Sequence, residues 1–160
     1  MHSESGYYAI FTDNAGEFPN PFRKILQERD TDLIYVGIAE KTHLIDRLVH
    51  QDLHHHGPST FFRSLGSVLG FTPPRGSLLN KKHRNYKFAE EDTQRIVDWI
   101  NQHIIVRWIA ENSALLANEK SIIRQLRPLL NLKHNPARVP ELSELRRRCL
   151  ARAKERPLAI

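Results

Sequence analysis

The residues from Leu115 to Leu126, "LLANEKSIIRQL", place a carboxylate where apolar side chains are expected. Leu115, Leu116, Ile122, Ile123 and Leu126 fall on one stripe when wound at about 3.6 residues per turn. Glu119 lies inside that stripe, one turn after Leu115 and one turn before Ile123. A buried, unpaired carboxylate costs several kcal/mol, so a partner has to compensate it. A metal ion, an arginine and a proton are the candidates. A second concentration of reactive side chains lies in "HLIDRLVHQDLHHH". On an α-helix Arg47, His50 and His54 share one side, while Leu44, Ile45, Leu48, Val49 and Asp52 fill the opposite arc. Arginine supplies a planar, permanently charged donor fork suited to phosphate, and histidine can carry a proton near neutral pH. Three consecutive histidines cannot easily face one ion, so His54 to His56 read as surface residues.

The third concentration is basic. Residues 71–87 carry Arg75, Lys81, Lys82, Arg84 and Lys87 with no acidic residue. Interleaved with His83 and Tyr86, they suit backbone phosphate contacts and base stacking. Residues 135–160 add seven Arg and Lys against three Glu. The whole chain has a net charge of +6 and a pI of about 9.7, which favours a polyanionic partner, most simply nucleic acid.

The elements that must position these groups are legible from pattern. "GYYAIF" (residues 6–11) and "LIYVGIA" (33–39) read as strands able to pair as a long-looped hairpin. In the second, Ile34, Val36 and Ile38 share one face, and Tyr35 and Gly37 the other. A short helix is expected over 22–29. The Arg47 helix is expected to start at a Thr42 cap, and a further helix at Ser59, with Phe61, Leu65 and Val68 inward. Residues 71–87 read as a long loop of the kind that is functional or disordered. An amphipathic helix follows over 89–103, then a third strand, "IIVRWIA" (104–110), rich in β-branched and aromatic residues. Asn112 or Ser113 is expected to cap the Glu119 helix, which Pro128 terminates. Trp99 and Trp108 sit in apolar patterns and read as core. The order predicts an α+β protein: a small, mainly antiparallel, three-stranded sheet flanked by helices.

The chain has 160 residues and 40 % hydrophobic content, suited to one domain with its own core. Its single cysteine, Cys149, excludes an internal disulfide and a multi-cysteine zinc site. No apolar run approaches the roughly 20 residues that span a bilayer. The start lacks a signal-peptide pattern, and a reduced, cytoplasmic setting is expected.

In their order and on these elements, Gly6-Tyr7-Tyr8, Tyr35-Val36-Gly37, Arg47, Glu119 and Asn131 resemble the GIY-YIG endonucleases. The resemblance runs from about Gly6 to Asn131, with Asn131 closing "PLLN" 12 residues after Glu119. It implies a nuclease domain over 1–134, and residues 135–160, by their own composition, are expected to form a basic C-terminal helical tail packed on or extending from it. It also implies divalent-metal-dependent hydrolysis of DNA phosphodiester bonds. Under it Glu119 binds one Mg²⁺ or Mn²⁺, completed by water and phosphate oxygens. Arg47 takes the scissile phosphate. One of Tyr8 and Tyr35 is the general base, with Tyr8 favoured, and the other orients water or phosphate. His50 is a proton carrier or phosphate ligand, although the family position one turn after the arginine is Gln51. Asn131 holds the backbone of the site or contacts DNA. Ile38 stands where the family often has a basic residue, with Lys41 or Arg63 as substitutes. Arg63, Lys81, Lys82, Arg84 and Lys87 form the expected DNA-binding set. The alternatives are a non-catalytic DNA- or RNA-binding module of the same fold, and a structural protein that binds RNA or protein through its basic tail.

Overall fold

The structure, a computed structural model, describes residues 4–40 and 43–157. The expected Thr42 cap and Lys41 lie outside the described residues. Three strands form one antiparallel sheet: β1 (Gly6–Thr12) in the centre, β2 (Leu33–Ala39) on one side and β3 (Ile104–Ala110) on the other. The β1–β2 hairpin forms as expected, with Tyr8 opposite Gly37 and Ile10 opposite Tyr35. A register shift between Ile10 and Phe11 changes the alternation at the start of β2. Leu33 therefore joins Val36 on one face, while Ile34, expected beside Val36, enters the main core.

Two core layers follow from the two faces. On the Tyr8 face the sheet is covered by side chains from α1 (Phe22–Arg29), α2 (Thr60–Val68), α3 (Glu90–His103) and α5 (Pro140–Lys154), including Leu26, Phe61, Leu65, Ile96 and Leu142. On the other face α4 (Leu115–Leu126) packs Ile123 against Leu33 and Val36. Because α4 sits over β2 and β1, β3 is left as an uncovered edge. Ile105 and Ile109 of β3, on that face, are consequently exposed, and Trp108, opposite Tyr8 on the other face, is 49 % exposed instead of core. Trp99 is partly buried and packs against Phe18, with ring centroids 5.5 Å apart.

Two further expectations change. The Arg47 segment is a π-helix (Asp46–Leu53), closed by i→i+5 bonds such as His54 N–H to Val49 O at 3.0 Å. Neither Asn112 nor Ser113 caps α4: both donate their backbone N–H to Glu111, and α4 begins after Ala114 in the left-handed region. Ser59, by contrast, caps α2 as expected, accepting the Phe62 N–H at 2.9 Å. The basic loop is tied down rather than free. Gly76 and Leu78 donate to the Arg152 and Ala153 carbonyls of α5, at 3.1 and 2.7 Å. Helix α5 itself packs on α2 and buries Leu142, Cys149 and Ala153.

Candidate active site

The two tyrosine motifs meet through missing side chains. A Cβ on Gly37 would lie 2.3 Å from Cζ and Oη of Tyr8, so the Tyr8 ring crosses β2 where only glycine leaves room. A Cβ on Gly6 would lie 2.1 Å from the Ile109 carbonyl oxygen. These two glycines let β1 sit tightly against β3 while Tyr8 reaches across β2 toward the π-helix.

At the end of that reach stands Asp52, which is fully buried. Its Oδ2 accepts a short hydrogen bond from the Tyr8 hydroxyl. Its Oδ1 accepts from the Ser59 hydroxyl at 2.6 Å and lies 3.3 Å from Arg47 Nη1. Arg47 Nη1 also donates to Gln51 Oε1 at 2.9 Å. On an α-helix Arg47 and Asp52 would diverge, as the sequence pattern places them. The wider π winding stacks residues five apart and brings them together. Burial raises the Asp52 pKa, and Arg47, Ser59 and Tyr8 pull it back. Burial alone would lower the Arg47 guanidinium; Asp52, then Tyr8, Tyr35 and Glu119, more than offset this and hold it above its ordinary value. Asp52 is the site residue that the sequence reading missed. Its signal was a carboxylate in an apolar arc, the same signal that marked Glu119.

Glu119 does not enter the core. Of the α4 stripe only Leu115 and Ile123 are buried; Leu116 and Leu126 are half-exposed, because α4 covers a two-strand width of sheet. Glu119 is half-buried on the wall of an open cavity of about 360 Å³, lined also by Tyr35, Lys120, Asn131, Lys133 and His134. Burial raises its carboxyl above the ordinary range, against Lys133 and Arg47. Lys133, Arg47 and the open cavity are what allow a carboxylate in the stripe.

Tyr35 lines this cavity, and burial followed by the Asp52 charge pushes its phenol well up, opposed by Arg47. Tyr8, favoured from sequence as the base, is 1 % exposed and engaged with Asp52; burial first and Asp52 second raise its phenol well above its ordinary value. The rings of Tyr8 and Tyr35 lie 6.5 Å apart. Asn131 brackets Val36 of β2: Oδ1 accepts its N–H and Nδ2 donates to its C=O, both at 2.9 Å. That bracket covers the outer edge of β2 and fixes the floor of the Glu119 cavity.

Other expected residues are not brought in. His50 is exposed, 4.0 Å from Asp46 and stacked on His56, while Gln51 takes the place beside Arg47. His55, read as a surface residue, is buried against Phe62, its ring parallel at 4.2 Å, because the left-handed turn at φ 56° points it inward. Tyr86, read as a stacking aromatic, is buried and bonded to Ser67. Lys81, Lys82, Arg84 and Lys87 are exposed but split: Arg84 lines a cavity with Arg63, and Lys81 and Lys87 line another with His83. Arg63 is buried beside the site rather than on an open face.

A hard cation fits this site through one carboxylate. Among the described residues no three His, Cys, Asp or Glu side chains gather as a metal cage. Glu119 instead offers a single carboxylate on an open, water-accessible wall, and Mg²⁺ is commonly held by one or two carboxylates, several waters and substrate phosphate oxygens.

The family model for the GIY-YIG catalytic domain matches residues 6–149, and the chain belongs to that family. A comparison with curated proteins and another with solved structures found no match. The family assignment makes the chain a nuclease domain with a nucleic-acid substrate. The match covers the three-stranded sheet, all the residues just described and most of α5, beyond the boundary at residue 134 expected from the resemblance. Among the described residues no helix is long and apolar enough to cross a membrane.

Proposed function

We propose that this chain is a divalent-metal-dependent endonuclease that hydrolyses DNA phosphodiester bonds, working in the cytoplasm. The observation that carries the reading is one cavity lined by Glu119, Tyr35 and Asn131, with Arg47 near enough for its charge to favour the Glu119 carboxylate.

Each residue has a role that follows from its surroundings. Arg47, held by Asp52 and Gln51, presents its remaining donors to the scissile phosphate and arrives already oriented. Tyr35, kept protonated by burial, orients the attacking water with its hydroxyl. Tyr8 and Ser59 anchor Asp52 and so fix Arg47. Asn131 fixes the strand from which Tyr35 projects. Lys120 and Lys133 add positive potential to the cavity and draw the polyanion in. Glu119 would hold the cation, which when bound supplies Lewis acidity at the phosphate and charge for the leaving 3′-oxygen.

The test is nicking of supercoiled plasmid by wild-type and Glu119→Ala protein with Mg²⁺, with Mn²⁺ and with chelator. Metal-dependent nicking that the substitution abolishes supports the reading. DNA binding without cutting, unchanged by the substitution, replaces it with the non-catalytic module.

A further inference from the structure

Two arginines outside the catalytic cavity are built as though for an anion. Arg63 of α2 is 6 % exposed, yet its Nε and Nη1 have no hydrogen-bond partner among the described residues. Arg146 of α5 lies on the same cavity wall; its Nη1 donates to the Thr60 carbonyl and Ser64 hydroxyl at 3.0 and 2.8 Å, but its buried Nε is also unpartnered. Both guanidiniums lie over the Tyr86 ring, 5.8 and 5.7 Å from its centroid. Neither makes an ion pair among the described residues. Glu144 on the same helix is taken by Arg147 and Arg148.

Two like charges held close together are unfavourable, and Asp52, the carboxylate that also feels the Arg63 charge, is already engaged by Arg47, Ser59 and Tyr8. The strain registers in Arg63, whose pKa burial and then Arg146 push down to about 10. The cavity they share is about 300 Å³, with Arg84 and Asn85 at its wall. Its chemistry is that of a phosphate: planar donor forks, unused N–H groups and no competing carboxylate. Its location matters as much. Leu132 lines both this cavity and the one containing Glu119, and Arg63 feels the charge of Arg47.

We propose that the Arg63–Arg146 cavity is a second phosphate site. It holds a backbone phosphate of the nucleic-acid strand whose scissile phosphate occupies the neighbouring Glu119 cavity. The second half of this statement rests on the nuclease reading above. On it, α5 is part of the substrate grip, and the strand's direction past the catalytic residues is set by two phosphates instead of one.

The test follows the arginine Nε–Hε NMR resonances of the full chain without divalent cation, so that it stands apart from any cleavage assay. Inorganic phosphate at constant ionic strength is expected to move the Arg63 and Arg146 signals saturably. A short single-stranded DNA oligonucleotide is expected to move them with the same midpoint as Arg47. Arg146→Gln, checked for folding by circular dichroism, is expected to weaken both about tenfold and to lower the salt slope of DNA binding by about 1. Signals that ignore both ligands overturn the site, and this reading on wild-type protein needs no variant to fold. Signals that follow phosphate but not the oligonucleotide, or a midpoint different from Arg47, overturn the nucleic-acid assignment and leave a free-phosphate site.

Discussion

The Arg47 guanidinium and the Asp52 carboxylate, five residues apart on one helix, meet at 3.3 Å because that helix is wound as a π-helix. The pair is asymmetric. Asp52 is sealed and saturated with partners, whereas Arg47 keeps 23 % of its side chain exposed, so in the proposed mechanism one residue is the anchor and the other the working group. Asp52→Asn keeps the shape but loses the charge and one acceptor. It should cost ~1–3 kcal/mol in urea unfolding and reduce nicking by about 10²-fold through loss of Arg47 orientation. Unchanged nicking would separate Asp52 from the site.

The Tyr8–Gly37 crossing predicts a coupled pair. Gly37→Ala puts a methyl 2.3 Å from a ring that is itself fully buried and cannot swing away. The expected loss is ~1–3 kcal/mol. In the Tyr8→Ala background the ring is gone, and the same methyl should cost at least ~1 kcal/mol less. Denaturant midpoints of the four proteins measure this coupling, and additive losses would refute the crossing as the reason for glycine.

Asn131 is expected to act through Val36 rather than on substrate. Asn131→Asp can accept the Val36 N–H but cannot donate to its carbonyl, leaving two acceptors face to face in a buried place. A stability loss of ~2–3 kcal/mol follows. Loss of nicking should track the unfolded fraction and the displaced cavity floor, with DNA affinity reduced only a few-fold. A variant as stable as wild type, yet unable to bind DNA, would point to direct contact instead.

His55 gives the chain an acid-sensitive element. Burial, then Lys87, Arg63 and His56, hold its pKa down to about 4, against an ordinary 6.5. Between these values the unfolded chain binds a proton that the folded chain refuses. Stability present above pH 6.5 is therefore lost as the pH falls toward 4, by ~1–3 kcal/mol. His55→Asn tolerates the left-handed backbone and does not titrate. Its unfolding free energy should fall less than that of wild type between pH 7 and pH 4.5. Carboxylates that titrate in both proteins cancel in the difference, and equal losses would refute the assignment.

The strands and α1 were readable because their signals are local. β2 and β3 begin and end where alternation and turn residues place them, and Ser59 caps α2 as its type and position require. The tyrosines, Arg47, Glu119 and Asn131 were readable as a set only in combination, since each alone is an ordinary residue of its element. What failed has non-local causes. The α4 stripe looks like core, but a helix covers only part of a sheet's width, and which strand is left bare is a matter of topology; Trp108, on the other face of that edge strand, is half-exposed as well. Tyr86 looks like an open stacking group until α5 closes over it, and Arg63 is buried beside it rather than spread on an open face.

The residue types and their order thus determined the family, the antiparallel sheet and the list of groups able to handle a phosphodiester. Which of them point at one another was decided by the tertiary structure. An α-helical wheel puts Asp52 opposite Arg47, and no periodicity in the sequence announces the π winding that joins them. That winding brings the buried Asp52 within reach of the Tyr8 hydroxyl, the Ser59 hydroxyl and the Arg47 guanidinium, and two of those partners are supplied by other parts of the fold.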